Sequence, residues 1–161
     1  MRGERRARGS IVWKLLGAIL LALLLAVVAG YTIERLASSR DLARLAMPGR
    51  MVSVGSHRLH LSCAGQGSPV VLLESGWGMP AAIWARTQPL LAQRTQTCVY
   101  DRAGYGWSDS GPDPRDAAHI AAEAEALLEA AQIKGPFILV GHSFGGICVR
   151  PLAARMPERV A

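Results

Sequence analysis

No two cysteines in this sequence stand at Cys-x-x-Cys spacing. Only three are present, Cys63, Cys98 and Cys148, and the missing spacing leaves no metal or redox motif to build on. Each lies in a stretch that reads as strand or core helix, so the expectation is buried, inert thiols. If the domain is exported one pair could oxidise, and the sequence does not say which. Beyond residue 50 internal repeats and low-complexity tracts are lacking as well. Residues 51–161 lack net charge, with nine basic and nine acidic side chains. Residues 1–50 carry nine basic against three acidic side chains, so the pI of about 9.9 describes a basic leader. It therefore gives no ground for nucleic acid or acidic substrates as partners of the remainder.

That leader divides into three. Residues 1–14 form a basic stretch with Arg2, Arg5, Arg6, Arg8 and Lys14, and residues 15–31 are 17 residues without a charge. Lys14 can snorkel to extend the run, which reaches the lower end of the roughly 17–25 residues that cross a bilayer. Two readings stand, an uncleaved single-pass anchor and a signal peptide cleaved after Val27-Val28-Ala29. The anchor is favoured because the apolar stretch exceeds the roughly 7–15 residues of a signal-peptide core. Basic residues outweigh on the N-terminal side, with Arg35, Arg40 and Arg44 following, so the N-terminus is expected in the cytoplasm and the remainder outside. Cleavage would make the protein a secreted one. Residues 32–50 read as a stalk, a short amphipathic helix stopped by Pro48-Gly49.

From residue 51 the pattern alternates between strand and helix. Met51–Val54 and Arg58–Ser62 around Gly55-Ser56 read as a half-exposed hairpin, with His57 and His60 as surface histidines. Pro69–Leu73, Thr97–Tyr100 and Phe137–Val140 are short continuous apolar runs, as strands buried on both faces require. A helix is expected over about Ala81–Ala92, broken near Pro89. Another is announced by Asp113 as N-cap with Pro114 first in the helix, running to Ala131. His119 reads as a partly exposed helix residue. Strand, helix, strand, helix, strand predicts an α/β parallel sheet.

Gly141-His142-Ser143-Phe144-Gly145 fits Gly-x-Ser-x-Gly, placed between a buried strand and a Gly-rich helix start. Reversing from strand to helix within two residues strains the serine backbone and crowds its neighbours, which Gly141 and Gly145 relieve. Ser143 is then the candidate nucleophile, with the amide of Phe144 at the helix N-terminus as one oxyanion donor. A second donor is expected from the loop after the first buried strand. There Glu74-Ser75-Gly76-Trp77-Gly78 lets the backbone approach closely, and the amide of Trp77 is the candidate. Trp77 could also wall an acyl pocket.

With these residues the sequence resembles the α/β-hydrolase fold family over about residues 51–161. Asp101–Asp109 looks like the family's loop after its fourth strand, and no catalytic role is assigned to it. The resemblance implies strand order 1-2-4-3-5 with strand 2 antiparallel. It also implies a cofactor-independent, metal-free serine hydrolase acting on a small-molecule substrate, a carboxylic ester above all. A small-substrate peptidase or a C–C hydrolase shares the serine, while relatives with an aspartate nucleophile are disfavoured by it. The basic leader, span, Pro-Gly-Arg junction and hairpin look like bacterial membrane-anchored members. Two features depart from the pattern: Ser75-Gly76 stands where the family often has His-Gly, and Pro151 interrupts the helix after Ser143, at a cost of about 3 kcal/mol if that helix is otherwise regular.

A serine nucleophile needs a base and an acid that orients it. In the family both follow the serine, yet only eighteen residues follow Ser143 and none is histidine. His142 adjoins the serine and cannot fold back on it, and the other histidines precede it. The expectation is an N-terminal portion of the domain, inactive by itself. From a different class, a membrane-tethered binding module on the same scaffold is the rival.

Overall fold

The computed structural model describes the backbone of residues 2–44 and 47–161, and the side-chain surroundings of residues 13–38 and 47–161. It has two compact units, residues 1–46 and 47–161. The first unit is one continuous helix, α1 (Arg2–Arg44). Within it Trp13–Ser38, 26 residues that include an 18-residue stretch of mean hydropathy 2.5, is long and apolar enough to cross a membrane. At 1.5 Å per residue that is about 39 Å, against a hydrocarbon core of about 30 Å. Leu16, Leu20, Leu24 and Val28 are all exposed. The helix takes in leader, span and most of the stalk, and Leu45 and Ala46 of that stalk lie outside the described residues.

In the second unit β1 (Arg50–Val54) and β2 (His57–Ala64) form the expected hairpin, with Gly55 at φ 65° in its turn. A left-handed φ there is open to glycine without steric cost. β3 (Val70–Glu74), β4 (Thr97–Tyr100) and β5 (Phe137–Gly141) complete a five-stranded sheet in the order β1-β2-β4-β3-β5. β2 runs antiparallel to β1 and β4, while β3 is parallel to β4 and β5. This is the α/β arrangement expected, with the all-buried β3 between β4 and β5.

Alternation along β3 divides the core between the two sheet faces. Val70 and Leu72 join Leu59, Leu61 and Phe137 beneath two helices, α3 (Ala117–Ala130) and α4 (Phe144–Arg155). Leu127 and Leu128 of α3 and Leu152 of α4 are almost fully buried there, each worth about 1.5–3 kcal/mol. Val71 and Leu73 point the other way, towards Val99, Ala81 and Trp84. That face is covered by a 3-10 turn (Ala81–Trp84) and a five-residue helix, α2 (Thr87–Leu91).

Several expectations need correction. The helix foreseen over residues 81–92 is those two short pieces, parted at Ala85-Arg86 before Pro89 is reached. α3 begins at Ala117, capped by Asp116, whose carboxylate accepts from the His119 amide at 2.9 Å. Asp113 and Asp116 are both able to cap, and only the acid followed by three residues in helical geometry does so. α4 runs through Pro151, which supplies no amide to the carbonyl of Ile147. Within the described residues β5 is the outermost strand of the sheet and is not buried on both faces: Phe137 is covered and Ile138 is 41% exposed.

His57 and His60 are buried, contrary to their reading as surface residues. His57 meets Glu123 of α3 at 3.3 Å, and His60 Nδ1 bonds to the buried Asp101 at 2.8 Å while Nε2 bonds to the Pro48 carbonyl. Burial works against charging the His60 ring, but Asp101 and the Pro48 carbonyl outweigh it and raise its pKa. Cys63 and Cys98 face each other across β2 and β4 and form a disulfide, with Cys63 exposed, so two of the three thiols expected to be inert are paired. Cys148 alone is free and buried, its thiol pushed up to about 11 by burial and by the charge of Glu74.

At its start the outer side of β5 is touched by Val160, which bridges parallel to Phe137, and by the Ala161 amide on the Phe137 carbonyl at 2.9 Å. Ile138–Val140 have no strand on that side among the described residues. Such an edge adds strands from other chains, and residues 47–161 carry a net charge of only +1 to oppose association. Residues 47–161 expressed alone are expected to be oligomeric or insoluble, with weakly cooperative unfolding. A sharp two-state melt from a sedimentation-verified monomer would contradict this.

Candidate active site

β5 ends at Gly141 and α4 begins at Phe144, so the chain reverses through His142 and Ser143 alone. Ser143 takes φ 53°, ψ −120°, a conformation that costs a non-glycine residue on the order of 1–3 kcal/mol. Its position is exposed. The neighbouring backbones explain the two glycines of the motif. A Cβ on Gly141 would lie 2.4 Å from the Gly146 nitrogen, and one on Gly145 would lie 2.4 Å from the Glu74 carbonyl oxygen. The turn is held by bonds from the Gly145 amide to the His142 carbonyl (2.8 Å) and from the Gly146 amide to the Ser143 carbonyl (2.9 Å).

β3 stands in register beside β5, with Glu74 opposite Gly141, and the His142 amide donates to the Glu74 carbonyl at 3.0 Å. The loop Ser75-Gly76-Trp77-Gly78 leaves the sheet beside the serine turn. A Cβ on Gly76 would lie 2.8 Å from His142 Nδ1, so the exposed His142 ring would have to shift to admit a side chain there. The rings of Trp77 and Phe144 meet edge to face at 5.2 Å. Among the described residues, the backbone amides of Trp77 and Phe144 donate to no protein acceptor. Ser143, Trp77 and Phe144 are thus brought together, with Gly141, His142 and Gly145 forming the turn around them. Trp77 (69% exposed) and Met79 (40%) form an apolar rim rather than a closed wall.

In place of the family's frequent His-Gly, the Ser75 hydroxyl donates to the Pro80 carbonyl (3.3 Å) and accepts from the Trp84 indole (3.1 Å). Beneath the loop lies a buried charge cluster that sequence reasoning missed. Arg102 Nη1 bonds to Glu74 Oε1 and to the Ser75 carbonyl, both at 2.6 Å, and Nη2 bonds to the Gly76 carbonyl. Tyr100 donates its hydroxyl to the other Glu74 oxygen. Burial pushes the Glu74 carboxyl up, with Tyr100 and Arg102 pulling it back, and burial also drives the Tyr100 hydroxyl well above its ordinary value. The Arg102 guanidinium also lies over the rings of Tyr105 and Phe144. One signal was available: Glu74 and Asp101-Arg102 are charges placed directly after all-apolar strands, at the strand ends where α/β sheets hold their ligands.

Asp101 supports the same loops from below, accepting from the Ala81 amide at 2.6 Å, the Trp107 amide at 3.2 Å and His60. Gly106 is open to no other residue, as its Cβ would collide with that carboxylate at 2.2 Å. None of the four histidines pairs with an acid at Ser143. His60 and His119 are bonded to Asp101 and Asp116, His57 lies 3.3 Å from Glu123 of α3, and His142 is exposed with no acid partner among the described residues.

The model of the α/β hydrolase fold matches residues 69–161, more than half of the chain. A pimeloyl-[acyl-carrier protein] methyl ester esterase of Vibrio campbellii is 35% identical over 106 residues, covering 66% of this chain and 39% of its own. An uncharacterized vacuolar membrane protein of Saccharomyces cerevisiae is 34% identical over 118 residues, 62% of this chain and 18% of its own. The crystal structure of Cfl2 from Burkholderia cenocepacia superposes with a TM-score of 0.64 at 32% identity, over 69% of this chain and 38% of that one. The chain spans between 15% and 48% of the length of these and other curated relatives.

Gly145→Ala is expected to destabilise the fold by about 1–3 kcal/mol, because β3 and α4 must part to admit the methyl group. Urea denaturation of the full-length protein measures it. A change under about 0.5 kcal/mol, the size of an ordinary surface substitution, would show that the turn and strand are not in close contact.

Proposed function

Because the chain belongs to the α/β-hydrolase fold family, we propose that Ser143 is the nucleophile of a hydrolase that forms an acyl-enzyme with carboxylic esters. The observation that carries this reading is the strained, exposed Ser143 flanked by two backbone amides, of Trp77 and Phe144, that have no protein acceptor among the described residues. In the reaction Ser143 Oγ attacks the ester carbonyl carbon and its proton passes to the base. The carbonyl oxygen becomes an oxyanion that accepts from the two amides, each donor contributing about 10²–10³-fold in rate. The intermediate collapses, the alcohol leaves with the proton, and water then hydrolyses the acyl-enzyme by the same steps.

No cofactor or metal enters this scheme, and the partner is a small molecule whose acyl group lies against Trp77 and Phe144. The base and its orienting acid come from the part of the family's fold that the chain does not span. A peptidase or C–C hydrolase would use the same serine, and the ester is preferred because of the ester-cleaving relative. Full-length protein is expected to hydrolyse short-chain aryl esters, with Ser143→Ala losing at least about 10³-fold in kcat. Undiminished turnover by that variant would remove Ser143 from the mechanism.

Trp13–Ser38 further supports a single-pass anchor with residues 47–161 outside the cytoplasm. The leader has five basic residues before the uncharged run of residues 15–31, and the Cys63–Cys98 disulfide suits an oxidising compartment. Reporters fused after residue 50 are expected to work only in a form active outside the cytoplasm. Among the three cysteines of residues 1–161, only Cys148 is expected to react as a free thiol in denatured protein from its native compartment. A cytosolic domain with all three free would refute this. A mature N-terminus near Gly30 would instead favour secretion after cleavage.

A further inference from the structure

We propose that Arg102 is a positioning residue for oxyanion stabilisation, acting through the Gly76–Trp77 peptide whose amide is one of the two donors. The assignment rests on the reading of Trp77 and Phe144 as the oxyanion site. Peptide planarity makes the connection. The Gly76 carbonyl and the Trp77 amide belong to one rigid unit and point in opposite directions across it. Arg102 Nη2 donates to that carbonyl, and Nη1 donates to the carbonyl of Ser75, the preceding unit. Holding two successive carbonyls from one planar fork fixes the rotation of both peptides, and with it the direction of the Trp77 amide.

Besides Arg102, the Gly76 carbonyl accepts from the Met79 amide at the longer distance of 3.3 Å, and Gly76 and Gly78 leave the rotation otherwise unrestricted, since glycine restricts φ and ψ least. The alternative rotation, with the Trp77 amide turned away, would leave the guanidinium without its acceptor in a site where Arg102 is only 4% exposed. That penalty for an unsatisfied buried donor keeps the loop in one state before substrate arrives. The charge of Arg102 is balanced by Glu74, itself held by Tyr100, so the fork is fixed at its other end to the last residue of β3. Glu74 also accepts the His142 amide through its carbonyl, tying the same support to the serine turn. One further effect has the same sign, because a cationic donor on a carbonyl polarises the peptide and strengthens its amide as a donor.

Two variants of the full-length protein test this. Arg102→Lys keeps the charge beside Glu74 but has no planar fork to hold two carbonyls and the carboxylate together. The double variant Glu74→Gln with Arg102→Gln removes both buried charges at once, so a fold that rejects a lone charge is not a confounder. For each, kcat is measured per site titrated by an aryl ester burst, beside KM and the affinity of an aryl boronic acid, whose serine adduct carries the tetrahedral negative charge. The expected result is a loss of at least about tenfold in kcat and a matching loss in boronate affinity, with KM within about twofold of wild type. A residue that only stabilised the fold would lower the number of titrated sites and leave these values per site unchanged, which would overturn the assignment. A wild-type protein without ester turnover overturns the reading of the site and this assignment with it. An active wild type whose variants keep kcat and boronate affinity overturns the role of Arg102 alone.

Discussion

Between Gly141 and Phe144 the chain turns from strand into helix using only two residues, and three backbone segments are forced together where it does so. Gly141 lies against Gly145 and Gly146, and Gly145 lies against the end of β3. Side chains are excluded from that contact, so the turn is stable only if β3 delivers its last residue at the right height. The register of β3 on β5, Glu74 opposite Gly141, sets this. The positive φ of Ser143 is held by that contact, and the exposure of its hydroxyl is the consequence.

A second constraint follows, because β3 and β4 end in charge although they run through the core. Glu74, Asp101 and Arg102 are each buried at a strand end, where a bare charge would cost several kcal/mol. Each has partners: Glu74 the Tyr100 hydroxyl and Arg102, Arg102 also two carbonyls of the 75–78 loop, and Asp101 the amides of Ala81 and Trp107 and His60 of β2. The loops at these strand ends are thereby pinned to the sheet. The same groups that need partners for folding determine which amides are left without one.

How far the sequence reveals this depends on the range of each interaction. Apolar runs such as Val70–Leu73 and Thr97–Tyr100, and the glycines around Ser143, carry their meaning locally, and the strands and the serine turn are legible from them. The order of the strands came with the family resemblance. Phe137–Val140 shows the limit of the local signal, since a continuous apolar run does not say which strands will flank it. His60 misleads because its partner Asp101 is 41 residues away, and alternation along a hairpin says nothing about what will cover it. The Cys63–Cys98 disulfide requires the register of β2 on β4, which no local pattern encodes. Asp113 and Asp116 show the same limit at short range, two equal caps that only the backbone distinguishes.

If the strained turn makes Ser143 a nucleophile, it should react with an electrophile that mimics the acyl group. The most direct measurement is to treat the full-length protein with a fluorophosphonate, digest it and locate the adduct by peptide mass spectrometry. The predicted result is a single phosphonylated serine, Ser143, formed at a rate that falls away on unfolding. An unlabelled protein, or an adduct on another serine such as Ser75 with Ser143 unmodified, would contradict it.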